Sequence, residues 1–282
     1  MAVFNNKLQL TFDYYQRLTF NRLGPAQALP AVLGATIPRE NNSELRSRGW
    51  DASLTWRDKI GNDFNYSVTG MLFDNTSVVT KYNNPTGILT TDYTGKTVGE
   101  IWGYETVGLI QTQERADFIN SSKMQNFINA QVWRTGDVEY KDLNNDGVIN
   151  NGKNTVNDFG DFKVIGNTTP RYQFGLNLSA NYKNLDISVF LQGTAKRDLW
   201  LTGNIFWGFN NWNQTSLFPN HLNYYRDAEE SKYSGLGPNT DAYFPRPYST
   251  AATYVKNQQV QTRYLQNGAY IRLKNLQVGY TL

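Results

Sequence analysis

The sequence predicts an all-β fold of about six antiparallel strands, and three observations support this prediction. Residues 171–182, RYQFGLNLSANY, alternate almost perfectly between apolar or aromatic residues and small polar ones, which is the pattern of a half-buried strand. The 282-residue chain is 14% aromatic and rich in Gly and Tyr, a composition that favours strands and polar loops. Short and long connections also alternate along the chain.

The predicted strands lie near residues 7–20, 48–58, 63–74, 171–183, 185–193 and 269–282. In the first five, every second residue is mostly apolar, so each strand has one apolar face and one polar face. The sixth strand breaks this rule. Ile271 and Leu273 share a face, whereas Leu276 and the apolar residues after it fall on the other. This change of phase predicts a β-bulge near Asn275.

The connections between these strands differ greatly in length. KIGND joins the second strand to the third, and KN (183–184) joins the fourth to the fifth. The other connections, residues 21–47, 75–170 and 194–268, are far longer than the loops of compact soluble domains. Their order puts all short turns at one end of the sheet and all long loops at the other.

This asymmetry is typical of an antiparallel transmembrane β-barrel with short periplasmic turns and long extracellular loops. Ten residues at ~3.3 Å each, tilted by ~40°, rise roughly 25 Å, the height of the apolar band of such barrels. A membrane barrel needs about eight strands, so about six strands predict a partial barrel. We expect residues 1–282 to form part of one barrel domain.

Two other classes are weighed against the barrel. A soluble, calcium-assisted, carbohydrate-binding β-sandwich shows the same alternation. An enzyme is disfavoured because the chain has no cysteine and a single histidine, His221, which is expected to be solvated. The adjacent Glu229 and Glu230 point apart and do not form a catalytic pair. A net charge of +3 with scattered basic residues gives no reason to expect a nucleic-acid partner.

Three long stretches resemble one family in the expected order. They are GDVEYKDLNNDGVIN (136–150), IGNTTPRYQFGLNLSANYKNLDISVFLQG (165–193) and LQNGAYIRLKNLQVGYTL (265–282). Together they resemble SusC/RagA-type TonB-linked outer-membrane proteins of Bacteroidetes, which are TonB-dependent receptors. The resemblance extends along nearly the whole chain.

The resemblance implies a late portion of a 22-stranded barrel in the bacterial outer membrane, surrounded by outer-membrane lipid. It implies import of glycans or peptides, so the ligand would be an oligosaccharide or a peptide. A SusD-like surface lipoprotein would cap the extracellular loops. The TonB complex would act through the plug and N-terminal domains of the family, which we do not recognise in this sequence. It implies no enzymatic activity and no required cofactor.

The stretch DLNNDGVIN resembles the start of an EF-hand calcium loop. The residues predicted to hold Ca²⁺ are Asp142, Asn144, Asp146 and the carbonyl of Val148. Gly147 permits the sharp turn at position 6. Position 12 is Lys153 instead of Glu, so Asp158 or Asp161 would have to supply the missing carboxylate. The alternative is a turn whose Asx side chains bond their own backbone.

The long loops are rich in aromatic residues. Trp207, Phe209 and Trp212 lie close together in the segment NIFWGFNNWNQ. They could stack on sugar rings while neighbouring Asn side chains bind the hydroxyls. The alternative is that they pack on one another, or on the lipoprotein lid, because a loop of this size needs its own core.

Overall fold

The computed structural model describes residues 2–26, 38–125, 132–208, 217–248 and 255–282. In chain order the strands are β1 (Ala2–Val3), β2 (Leu8–Pro25), β3 (Arg39–Ile60), β4 (Phe64–Lys81), β5 (Glu100–Tyr104), β6 (Thr106–Leu109), β7 (Val138–Tyr140), β8 (Phe162–Asn167), β9 (Arg171–Tyr182), β10 (Leu185–Lys196), β11 (Asp198–Trp200), β12 (Leu265–Asn267) and β13 (Tyr270–Tyr280). The helices are α1 (Gln113–Ser122), α2 (Asn204–Trp207) and α3 (Ala228–Ser234), with 3₁₀ turns at Pro219–Leu222 and Val255–Asn257. No helix among the described residues is long and apolar enough to span a bilayer.

Seven strands form one open antiparallel sheet in the order β1-β2-β3-β4-β9-β10-β13. This arrangement confirms the predicted antiparallel all-β class. Strands β2, β3 and β4 continue several residues past their predicted ends, on the side of the long loops. The sequence shows no alternation there, for example in RENNSELRS at the start of β3. The backbone hydrogen bonds between the strands continue there, because strand pairing does not require an apolar face.

The short turns lie together at one end of this sheet. They comprise residues 4–7, 61–63 and 183–184. The turn after β3 is shorter than the predicted KIGND, because Lys59 and Ile60 still pair with β4. Lys183 adopts the left-handed conformation (φ 53°) that a two-residue hairpin turn requires. Its amide donates to the carbonyl of Asp63 at 3.2 Å, so neighbouring turns are hydrogen-bonded to each other.

The pairing register aligns apolar residues into rows that cross the sheet. One row, from β2 to β13, is Leu10, Leu54, Gly70, Leu176, Leu191 and Leu273. An adjacent row on the opposite face begins Gln9, Thr55, Thr69 and Asn177. The hydroxyls of Thr55 and Thr69 lie 3.0 Å apart in a hydrogen bond. The sheet therefore has a continuous apolar face and a polar face linked by side-chain hydrogen bonds.

The apolar face is uncovered in the part of the chain that the structure describes. Phe12, Leu54 and Leu273 expose 61%, 48% and 56% of their surface. Phe174 and Leu176 are half-buried, although no second sheet stacks on this face within the described ranges. The exposed apolar face does not favour the soluble β-sandwich alternative, whose strands would bury these side chains against a partner sheet.

The predicted β-bulge near Asn275 is confirmed. Phe190 of β10 pairs with Asn275, and the next residue, Leu191, pairs with Leu273, so Lys274 has no partner of its own. This extra residue restores the phase of the strand. Leu276 then lies opposite Val189, and the last apolar residues of β13 return to the apolar face.

Aromatic residues mark both ends of the apolar face. At the turn end, the indole of Trp56 donates to the hydroxyl of Tyr66 at 3.2 Å. At the long-loop end, the rings of Phe12 and Trp50 lie 6.4 Å apart, and Tyr14 pairs with Trp50. Trp50 and the turn-end residue Ile60 are ten residues apart, which corresponds to roughly 25 Å of height for a strand tilted by ~40°.

The two long loops beyond β4 and β10 fold together into a loop body, defined here as the described residues of 82–170 and 197–269. Three small sheets, β5–β8, β6–β7 and β11–β12, brace it. The buried apolar cluster of the described chain lies here and not beside the large sheet. Its largest members are Tyr104, Trp133, Tyr140, Trp207, Tyr225, Phe244 and Tyr264. These loops therefore form a packed unit with its own core.

A charge on the apolar face distinguishes lipid from water as its surroundings. If lipid covers this face, Leu176→Arg should destabilise the full-length protein by about 2–4 kcal/mol, because Leu176 lies in a central row of the apolar face. Asn177→Arg, one residue along on the polar face, is the matched control and should cost less than about 1 kcal/mol. Urea unfolding of both variants in phospholipid vesicles measures the difference. Equal stability of the two variants would contradict a lipid-facing surface.

Candidate functional site in the long loops

Trp207 occupies the centre of the aromatic cluster in the loop body. It ends α2, after which Gly208 (φ 75°) turns the chain away. Its ring centroid lies 4.8 Å from that of Tyr264 and 6.0 Å from that of Trp200, and only 8% of the residue is exposed. Burial also raises the pKa of the Tyr264 phenol well above its usual range, so this ring stays neutral. The structure gives Trp207 a packing role.

The other two predicted stacking residues, Phe209 and Trp212, lie outside the described residues. A ligand-binding role for Trp207, Phe209 and Trp212 stays a prediction. Truncating Trp207 removes core packing and costs about 3–5 kcal/mol. A loss of uptake in Trp207→Ala would therefore not by itself indicate a ligand contact.

A cavity of about 380 Å³ lies beside Trp207, within the size range of small-ligand sites. Phe218, Phe244, Arg246 and Tyr248 line part of it. Its aromatic walls could pack against an apolar or ring-shaped group, and the guanidinium of Arg246 lies at its edge.

His221 also lines this cavity but is not solvated as expected, since only 7% of it is exposed. Its Nδ1 accepts the amide of Phe218 at 3.0 Å. Its Nε2 lies 3.0 Å from the carbonyl of Phe206. Because Nδ1 accepts, Nε2 carries the proton and donates to this carbonyl. His221 therefore holds two loop segments together, and both ring nitrogens bond backbone groups of the described residues.

The predicted calcium loop is closed by hydrogen bonds of its own. Asp142 accepts the amides of Asn145 at 2.6 Å and Gly147 at 2.8 Å. Asp146 accepts the amide of Val148 at 2.8 Å. Asn145 (φ 60°) and Gly147 (φ 82°) adopt left-handed conformations, which give the loop its sharp turn. This geometry suits an Asx turn, and the remaining oxygen lone pairs of the same side chains could also face a cation.

Asp161 clamps the two ends of this loop. Its fully buried carboxylate accepts the amide of Leu143 at 2.7 Å and that of Asn150 at 2.9 Å. Asp158 is the other residue that could supply the missing carboxylate. Its carboxylate lies 3.9 Å from the ammonium of Lys153. No group of three or more His, Cys, Asp or Glu side chains among the described residues is arranged to hold a metal ion. The calcium set of Asp142, Asn144, Asp146 and Val148 stays a prediction.

A buried ion pair that the sequence analysis did not predict joins the two long loops. Lys256 donates to Asp137 at 2.5 Å, and neither side chain is exposed. The ammonium also donates to the carbonyl of Val132 at 2.7 Å, and Asn257 donates to the other oxygen of Asp137 at 2.8 Å. Burial lowers the pKa of Lys256, while the carboxylate of Asp137 opposes that shift. The paired carboxylate therefore offsets part of the cost of burying the ammonium.

A second ionic cluster surrounds Arg246. Its guanidinium bonds the carboxylates of Asp227, at 3.1 Å, and Glu230, and donates to the carbonyl of Thr135 at 2.7 Å. Asp227 also caps α3 by accepting the amide of Glu230 at 2.8 Å, which lowers the pKa of this carboxyl. Residues 135 and 246 belong to different loops, so this cluster also ties the loop body together.

Removing one member of the buried pair tests how much the loop body depends on it. Lys256→Met leaves the carboxylate of Asp137 buried without its cation, so we expect a loss of about 3–5 kcal/mol. Lys232→Met removes the exposed ion pair with Glu229 and should cost less than about 1 kcal/mol. Hydrogen exchange of residues 132–140 and 255–262 in the intact receptor reports the difference. Unchanged exchange in Lys256→Met would contradict this assignment.

Comparison with known proteins gives matches along the whole chain. The chain is 26% identical over 300 aligned residues to TonB-dependent receptor P3 of Formosa agariphila, and 24% identical over 291 to TonB-dependent receptor P26 of the same organism. Each alignment covers all of this chain and 26% of the relative, so the chain spans about a quarter of their length. No family model matches.

Solved structures with a similar fold include the RagAB peptide transporter, with a TM-score of 0.63 and 18% identity. The "open-open" state of the RagAB peptide importer gives 0.62 and 17% identity. Both matches cover 99% of this chain and 27% of the matched chain. At this level of identity they establish the fold alone. The chain is therefore similar along its whole length to part of two TonB-dependent receptors, and its sheet has the fold of the matching part of the RagAB structures.

Proposed function

We propose that the chain forms part of the wall and the extracellular loop body of an outer-membrane importer. The observation that carries this proposal is the sheet itself. One face presents uncovered apolar rows between two aromatic borders, and the other face is polar. Acyl chains would cover the apolar face, and the polar face would line an aqueous lumen. These features support location in the bacterial outer membrane.

In this proposal the ligand is an oligosaccharide or a peptide that enters through the loop body. A SusD-like surface lipoprotein would contact the same loops from outside. The matched RagAB structure is described as a peptide transporter, which supports a peptide as the ligand. An oligosaccharide is the other ligand class in this proposal. Energy would come from the TonB complex through a part of the receptor beyond this chain. The role of these residues is mechanical, and no enzymatic step is proposed for them.

Single cysteines can test the orientation of the sheet in a working receptor. Gly237 lies at an exposed turn of the loop body, and Asn184 lies in the turn between β9 and β10 at the opposite end. The chain has no cysteine, so each introduced thiol is unique within it. A membrane-impermeant maleimide should label Gly237→Cys on intact cells, and Asn184→Cys only after the outer membrane is permeabilised.

The same cells show whether the receptor imports nutrients. Deleting its gene should abolish growth on at least one oligosaccharide or peptide supplied as the sole nutrient, and either cysteine variant should restore that growth. Labelling of both thiols on intact cells would contradict the proposed orientation. Normal growth of the deletion strain on all such nutrients would contradict import.

We also propose that Ca²⁺ binds the loop that begins at Asp142. Support comes from the two carboxylates at positions 1 and 5 and from the sharp turn at Gly147. Without a bidentate Glu at position 12, the expected affinity is weak, with a Kd of about 10⁻⁴–10⁻³ M. Titration calorimetry of the intact receptor should show heat that Asp146→Ala abolishes. Equal heats in both proteins would contradict this site.

A further inference from the structure

Two arginines on the apolar face lie just beyond its aromatic border. Arg48 is two residues past Trp50 on β3, and Arg46 is four residues past it. Alternation puts all three on one face. The hydrogen bond from Arg48 Nε to Gln16 Oε1, at 2.7 Å, confirms that Arg48 shares this face with its cross-strand partner on β2. Two guanidinium groups therefore lie on this face directly beyond its apolar band.

Neither arginine has a carboxylate partner among the described residues. Arg48 is exposed. Among the described residues its guanidinium forms one side-chain hydrogen bond, to Gln16. Arg46 forms no ion pair and no side-chain hydrogen bond within the same ranges. The carboxylate opposite Trp50, that of Asp74, is already bound by Arg171 through two contacts of 2.5 Å. Both guanidinium groups can therefore bind an external anion.

The height of these arginines indicates which anion they meet. At ~3.3 Å per residue and a tilt of ~40°, Arg48 lies roughly 5 Å and Arg46 roughly 10 Å above the level of Trp50. Aromatic residues of membrane barrels border the hydrocarbon region, so both arginines lie at the level of the lipid headgroups. Guanidinium groups bind phosphate oxygens in a bidentate manner, with charge-assisted hydrogen bonds.

We propose that Arg46 and Arg48 bind the phosphate of an anionic lipid in the outer leaflet. The side chain of Gln16 adds a neutral hydrogen-bonding group, and the rows below, including Phe12 and Leu54, contact the acyl chains. This inference rests on the proposed membrane location and adds to it a specific class of bound lipid. Water in the headgroup region weakens the ion pairs between guanidinium and phosphate. We therefore expect the phosphate lipid to bind about ten times more tightly than an uncharged lipid.

Native mass spectrometry of the intact receptor in detergent tests this site. The probes are dioleoyl phosphatidic acid and an uncharged galactosyl diacylglycerol with the same acyl chains. The wild-type receptor should bind phosphatidic acid about ten times more tightly. The Arg46→Gln/Arg48→Gln variant should reduce that preference to less than about twofold.

A matched control removes two arginines from the other face of the same strands. Arg17 pairs with Ser47, between the levels of Arg46 and Arg48, and Arg57 lies nearer the turns of β3. Both are exposed and lie on the polar face. The Arg17→Gln/Arg57→Gln variant should keep the full preference. An unchanged preference in Arg46→Gln/Arg48→Gln, or an equal loss in the control, would overturn the inference.

The thiol labelling described above separates this inference from the proposed function. A receptor that labels with the expected orientation but shows no preference for phosphatidic acid overturns the lipid site alone. A receptor whose thiols do not show that orientation overturns the proposed membrane wall, whatever lipid it binds in detergent.

Discussion

The phase of the strand pairing is the constraint on which the rest of the structure depends. Side chains alternate with a period of two, so a slip of one residue between neighbouring strands would move a whole apolar set to the polar face. Through the apolar rows of the six long strands the register avoids such a slip, and the shift at Phe190/Leu191 is a bulge that keeps the apolar residues on one face. The bulge at Lys274 shows how strict this requirement is. Without that extra residue, Leu276 and Val278 would point into the polar side.

The loop body meets a different constraint, because its two halves are far apart in sequence. Asp137 and Lys256 are separated by 119 residues, yet their side chains meet in a fully buried pair. Such a pair is stable only if its remaining polar atoms find partners. Here Asn257, Val132 and Tyr248 supply them. This requirement fixes the alignment of the two loops more specifically than apolar packing alone would.

The sequence was sufficient to predict the sheet, because alternation and turn chemistry are local signals. The KN turn and the bulge near Asn275 were both readable in this way. The long-loop ends of β3 and β4 were not, since their side chains do not alternate between apolar and polar. Backbone hydrogen bonds extend these strands to Arg39 and Lys81. Such hydrogen bonds do not depend on the side chains, so the sequence does not indicate them.

The loop site was predicted less completely, and for a physical reason. Local aromatic content indicated that the loops need a core, and Trp207 belongs to it. Asp137 pairs with Lys256, and Arg246 with Thr135, across the two loops, and one sequence carries no local signal for pairing over more than a hundred residues. His221 was misjudged because the amide of Phe218 and the carbonyl of Phe206 reach its ring only when the loop folds back on itself.

The extended strands also determine how the loop body is held above the sheet. Pairing of β4 with β9 ends at Phe73 and Gln173. At that point the carboxylate of Asp74 bonds the guanidinium of Arg171 and closes the gap between the strands. Beyond it, β4 pairs with the loop instead, since Val79 donates to the carbonyl of Lys96 at 2.9 Å. Hydrogen bonding therefore passes from strand to loop, and β4 ties the loop body to the sheet.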